Sequence, residues 1–206
     1  MSGTRIKSIV YVVLPLILWP LSFDVFSRYF VYGMALSTLL LGSLSLVWFR
    51  DRLRWIRINS VIAVVLGLIM SGILYIIFMG GYAILRYMGL ANYVILVYGM
   101  IRSMTDAYAL AMALVIIGFM EEVYWRGGLQ ELSRGLGGIF RNEPWLASMI
   151  YYTLIHISTL NPALVAGAFV IGLIDGLLAD KVGLVTSIIT HVLWLELMMV
   201  FLPLVP

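Results

Sequence analysis

Cysteine is absent from the sequence, which excludes disulfides, thiolate metal sites and a cysteine nucleophile. Charge is scarce as well. Only 11% of the 206 residues are Asp, Glu, Lys or Arg, against about 25% in soluble chains. Histidine occurs only as His156 and His191. No His-Glu-x-x-His stretch offers a zinc signature. A rhomboid-type serine needs Gly-x-Ser-Gly, and Met70-Ser71-Gly72 is preceded by Ile69 instead. An aspartyl pair needs two Asp residues at membrane depth, and Asp175 alone qualifies.

What the chain has in quantity is hydrophobic residues, 63% of the total, in continuous runs rather than alternation. Only helices satisfy their own backbone in such runs within a bilayer. The expected fold is all-α: a polytopic transmembrane bundle of about seven or eight helices in one membrane domain, at about 20 apolar residues per span. The spans read as Ser8–Phe23, Tyr29–Phe49, Ser60–Leu85, one starting near Asp106 and running to about Arg134, Pro144–Ser158, Ala163–Ala179 and Gly183–Leu202. Between Arg86 and Thr105 the pattern is ambiguous; Tyr93–Met104 suits an interfacial helix or a short re-entrant one. No cleavage site follows Arg5 and Lys7, so the first span reads as retained.

The net charge of +3 points to topology rather than nucleic acid, because the basic residues sit in short loops. Arg5, Lys7, the loop Arg50–Arg57, Arg126, Arg134, Arg141 and Lys181 fall on one side when seven spans are counted. The positive-inside rule makes that side cytoplasmic. The expected location is the cell membrane, with the functional groups in the middle or cytoplasmic half.

Few ionisable residues remain at depth: Glu121, Glu122, His156, Asp175, His191 and Glu196, with Arg126 at the edge. One acid in the bilayer costs roughly 3 kcal/mol, so an adjacent pair after the apolar run Ala107–Met120 needs a reason. At 1.5 Å rise per residue, the Glu pair lies about 18–20 Å from Arg134 and His156 about 18 Å from Pro144. His191 lies about 12 Å from Gly183, and Asp175 about 8 Å from the cytoplasmic end of its helix. Glu122 precedes Arg126 by four residues, the favourable order for a helical ion pair. Glu121 is rotated by about 100° and stays free to act as a general base. A water oriented by His156 would suit it, and His191 could donate to a developing oxyanion.

Glu121-Glu122-Val123-Tyr124-Trp125-Arg126, then Tyr152-Thr153-Leu154-Ile155-His156, then His191 together resemble the CPBP family. That family comprises CAAX prenyl proteases, related to the Ras-converting endopeptidase, and bacteriocin-processing or immunity proteins. The likeness covers the second half, about Ala107–Leu202. It implies a catalytic core over 106–206, with accessory helices over 1–105. It also implies glutamate-dependent intramembrane proteolysis without metal or cofactor: Glu121 and His156 activating water, Glu122 holding Arg126, and His191 in the oxyanion hole. Two positions depart from the pattern. Tyr152 stands where Phe is usual, and Leu195 stands where His-x-x-x-Asn or His-x-x-x-Asp would end.

These residues carry plainer readings too. The Glu pair could mark a helix end with Arg126 snorkelling, and His156 could be a packing residue. Asp175 and Glu196 could line the cavity or serve packing. The expected function is an intramembrane endopeptidase acting on a membrane-anchored or lipidated protein, the prenylated CAAX case being only what the resemblance implies. The alternatives are a weak or inactive scaffold or immunity protein, and a Glu/His proton-coupled transporter. Expected partners are the lipid bilayer and the membrane protein or lipidated peptide substrate, with no nucleic acid.

Overall fold

The computed structural model describes residues 3–102, 104 and 106–205. Ser103 and Thr105, near the end of the ambiguous 86–105 stretch, lie outside the described residues. Helix makes up 86% of the structure and no strand occurs among the described residues, so the fold is an all-α polytopic bundle. The helices are α1 (Gly3–Pro20), α2 (Phe30–Trp48), α3 (Ser60–Tyr87), α4 (Asn92–Ile101), α5 (Ala107–Glu122), α6 (Gln130–Ser133), α7 (Ile139–Asn142), α8 (Pro144–His156), α9 (Pro162–Lys181) and α10 (Leu184–Glu196).

Among the described residues, six helical stretches are long and apolar enough to cross a membrane: Arg5–Val25, Ser27–Trp48, Ser60–Tyr87, Ala107–Leu136, Pro162–Lys181 and Leu184–Phe201. One expected span, Pro144–Ser158, comes out too short to cross. The 13 residues of α8 reach about 20 Å at 1.5 Å per residue, less than the ~30 Å hydrocarbon core. The ambiguous stretch before Asp106 forms the ten-residue helix α4. Pro144–Ser158 could be read as a span because composition reports apolarity, whereas the length of α8 is set by Pro144 and the turn at Ile157–Thr159; α4 has the short length expected of an interfacial or re-entrant helix.

Helix starts follow capping chemistry. Asn59 accepts from the Val61 and Ile62 amides, Asp106 from Ala109, and Asn161 from Ala163 and Leu164. Each satisfies donors that a helix N-terminus leaves open. Val61, Ile62, Leu68, Ile69 and Ile76 of α3 are more than half exposed, as a lipid-facing surface requires. Its opposite face packs on α10 through small residues, where the Thr186 hydroxyl donates to the Ala63 carbonyl at 3.1 Å. Close approach through small side chains is the usual basis of helix packing in lipid.

One end of the bundle is tied by charge. Glu131 is buried and meets Arg54, Arg57 and Arg134 at 3.1, 3.0 and 2.8 Å. Buried Asp180 meets Arg134, Arg57 and Lys181. The loop residues Arg54, Trp55 and Arg57 also exchange backbone hydrogen bonds with Val182, Leu184 and Val185. Gly183 makes this possible: its φ is +127° and a Cβ would stand 2.8 Å from the Trp55 carbonyl. Nearby, the Trp145 indole and Lys181 hold the Glu143 carboxyl below the usual carboxylate range. Arginines that read as topology markers in the sequence therefore also close the fold at this end.

Candidate active site

The acidic motif ends a regular helix and begins an irregular one. After Glu122 the chain widens into a π-helical turn, Val123–Leu129, every residue of which is buried. Such turns re-aim side chains and cluster at functional sites. Here Tyr11 of α1 anchors the turn: its hydroxyl lies 2.6 Å from Ser45 Oγ and donates to the Tyr124 carbonyl at 3.2 Å. The Tyr124 hydroxyl returns a bond to the Tyr11 carbonyl at 2.7 Å. From the other side, Ser148 donates to the Trp125 carbonyl at 2.9 Å. Gly128 admits Tyr11, because a Cβ there would collide with the phenol and stand 3.0 Å from Ser45 Oγ.

The two glutamates face different partners. Glu122 and Arg126 are both fully buried, with Oε1 3.2 Å from Nη1. The Arg126 guanidinium also stands over the Tyr152 ring, 4.7 Å from its centroid. Glu121 points elsewhere. Its Oε2 accepts from the Tyr152 hydroxyl at 3.3 Å and lies 3.5 Å from His191 Nε2. The other nitrogen of His191, Nδ1, is 3.1 Å from Asp175 Oδ2 and 3.0 Å from Glu122 Oε1. Three carboxylates and an imidazole on three helices therefore meet around one arginine.

His156 is held apart from that cluster. Its Nδ1 lies 2.7 Å from the Tyr152 carbonyl, an acceptor only, so Nδ1 carries the proton. Its Nε2 accepts from the Trp19 indole N–H at 3.2 Å. Both nitrogens are thus engaged, one by its own helix and one by α1. Glu121, Tyr152, His156 and His191 nevertheless line a single cavity of about 170 Å³ whose remaining wall is mostly apolar, including Phe23, Phe78 and Leu195. Neither Asp175 nor Glu196 belongs to that wall. Asp175 touches His191 from outside the cavity, and Glu196 yields the wall position to its neighbour Leu195.

The cavity occupies the half of the bundle away from the arginine-rich end. Its lining comes from the first half of the Ala107–Leu136 stretch, the first half of α9, Phe78 in the later part of α3, and the end of α10 with the turn after it. Depth counted from single helix ends suggested the middle or the arginine-rich half. The difference arises because α8 is short: His156 lies at its far end, and the cavity opens beyond that point.

Residues 103–195 match the family described as Type II CAAX prenyl endopeptidase Rce1-like. That segment is similar to Rce1-like endopeptidases. No curated protein and no solved structure matches the chain significantly. The Rce1-like segment contains Glu121, Glu122, Arg126, Tyr152, His156, Asp175 and His191, and the family indicates a protease, hence a hydrolase, whose substrates are membrane-embedded or lipidated. Trp19, Phe23 and Phe78, which complete the site, lie outside the segment. Sequence reasoning passed over these three, because an aromatic residue in an apolar span reads equally as packing or as an interface belt.

Among the described residues, Glu122, Asp175 and His191 are the one group whose ligand atoms, within 4.8 Å of one another, have metal-site spacing. The Arg126 guanidinium, 3.2 Å from Glu122, already supplies a positive charge there. A divalent ion would have to displace it.

Proposed function

We propose that the chain is a multi-pass intramembrane endopeptidase in which Glu121 is the general base. The observation that supports this reading best is that Glu121 shares one otherwise mostly apolar cavity with both histidines of the chain. In such a low-dielectric site, a carboxylate can take a proton from water, and the resulting hydroxide attacks the peptide carbonyl carbon. The oxyanion that forms is met by the Nε2–H of His191, whose ring, bracketed by Glu121, Glu122 and Asp175, carries both protons. The proton then passes from Glu121 to the departing amine as the carbon–nitrogen bond breaks. His156 orients the attacking water once Trp19 releases its Nε2. Glu122 and Arg126 keep the π-helical turn charged and fixed. No resident metal or organic cofactor enters this scheme.

The substrate we propose is a membrane-anchored or lipidated protein tail, possessing an apolar segment that can reach the cavity. We place the protein in the cell membrane with the arginine-rich end cytoplasmic, as the charge bias argues. On that orientation the cavity extends from Glu121 toward the opposite half.

The test is hydrolysis of membrane peptides by the purified chain. Glu121→Gln should abolish cleavage and leave thermal stability nearly unchanged, and chelators should have no effect. Cleavage that survives Glu121→Gln defeats the assignment. A second reading, a binding scaffold without turnover, is favoured by two observations: Leu195 occupies the cavity wall, and Trp19 occupies His156. Tight partner binding without any cleavage supports that reading instead.

A further inference from the structure

We propose that Asp175 is the positioning residue of His191: it accepts the hydrogen bond from Nδ1–H, holds the ring in its doubly protonated form and turns Nε2–H toward Glu121 and the cavity. This rests on the reading of Glu121 and His191 as parts of one hydrolytic site.

Asp175 sits in the middle of α9 and is completely buried. An acid so placed needs a specific partner. The partner is His191 of α10, with Oδ2 3.1 Å from Nδ1 in hydrogen-bonding geometry. Glu122 comes as near to the same nitrogen, 3.0 Å, but as an ion-pair contact without an aligned hydrogen bond. Its Oε1 also faces Arg126 at 3.2 Å. One Nδ1 proton supports one directed bond, and the aligned acceptor is Asp175. With Nδ1 thus occupied, Nε2 is the nitrogen that faces Glu121, at 3.5 Å.

Orientation of a working imidazole by a carboxylate on its far nitrogen recurs in unrelated sites. Here it answers a gap in the motif. The helix that carries His191 has Leu195 where a second polar group was expected, so His191 receives no support from its own helix at that position. Its support comes across the interface, from α9. The charged and titratable groups around the ring are Glu121, Glu122 and Arg126 from α5 and its π-helical turn, Tyr152 from α8, and Asp175 from α9. Any shift in a pH–rate profile has to be read against that set.

The experiment uses the full chain in detergent or bilayer, with nitrogen-15 in its histidines. Two histidines make two imidazole patterns, and His156→Gln assigns them. In the wild type, His191 should show a protonated, hydrogen-bonded Nδ1. Asp175→Leu should shift the His191 Nδ1 signal and reduce the doubly protonated fraction of the ring while leaving His156 unchanged. Asp175→Asn preserves shape and guards against loss of folding; it should alter the His191 pattern, lower kcat about 10- to 100-fold with KM little changed, and shift the pH–rate profile. A His191 pattern unchanged in both variants overturns the proposal and makes Glu122 the acceptor. If the wild type cleaves nothing, the hydrolytic reading fails, while the imidazole spectra still decide whether Asp175 positions the ring.

Discussion

The indole N–H of Trp19 donates to Nε2 of His156 at 3.2 Å, so the first helix caps a histidine nitrogen that the Rce1-like segment leaves open. The rings pack edge to face with centroids 6.0 Å apart, and Phe23 adds a second edge at 5.9 Å. Because Nδ1 is already committed to the Tyr152 carbonyl, His156 cannot meet a water until Trp19 moves. Trp19→Phe keeps most of the ring and deletes the donor. A hydrogen bond of this kind contributes about 1 kcal/mol net, so turnover should rise by about fivefold, while the orphaned acceptor lowers stability by about 1–3 kcal/mol. Peptide hydrolysis and thermal unfolding measured together check both effects. A fall in turnover would mean that Trp19 orients His156 rather than restrains it.

The two adjacent glutamates should separate cleanly by phenotype. Glu122 and Arg126 form a pair with no exposure on either side, and removing one member of such a pair leaves a buried charge uncompensated. Glu122→Gln should therefore destabilise the protein by about 3–5 kcal/mol. Glu121 has no direct contact with the guanidinium in this way; it faces Tyr152 and His191, so Glu121→Gln should unfold near the wild-type temperature. Thermal denaturation in the same detergent distinguishes them, and equal losses for both variants would contradict the division of roles.

Much of this arrangement was legible in the sequence because burying charge in lipid is costly. That penalty singled out Glu121, Glu122, His156, Asp175, His191 and also Glu196, which lies off the cavity wall, and four-residue spacing linked Glu122 to Arg126. The all-α bundle followed from the apolar runs. What could not be read were contacts between helices distant in sequence. Nothing local distinguishes Trp19 from other aromatics in α1, and no spacing rule links Asp175 to His191 across an interface. The π-helical turn was also hidden, since Leu129, Leu132 and Leu136 follow at spacings of three and four, which a straight α-helix satisfies equally well. The arginines of the 50–57 loop followed the topology rule, which says nothing about their pairing with Glu131 and Asp180.

Close approach at the turn gives a packing prediction. A Cβ at Gly128 would overlap the Tyr11 phenol, and α1 could accommodate it only by giving up the bonds from Tyr11 to Ser45 and Tyr124. Gly128→Ala should cost about 1–3 kcal/mol, as overpacking does. Tyr11→Phe in that background removes the hydroxyl that clashes. The two losses should then add to less than their sum, since residues in contact couple. Strict additivity in thermal or denaturant unfolding would show that the turn and α1 do not meet as described.

Leu195 offers the sharpest test of the chemistry. It lines the cavity on α10, one turn beyond His191, where the family pattern has a polar residue. A donor at that position would face the same space as His191 Nε2 and could share a developing oxyanion. Loss of one such donor elsewhere lowers rates by about 10²–10³, so Leu195→Asn should raise kcat, by as much as 10² if the amide reaches the oxyanion. The change also puts an amide against an apolar wall, which should weaken binding of an apolar segment and raise KM. Steady-state kinetics resolve the two effects. A rise in kcat would argue that the cavity is a catalytic site running below its capacity. If KM rises while kcat stays flat or falls, Leu195 belongs to substrate binding, and the transition-state oxygen lies on the far side of His191, toward Glu121.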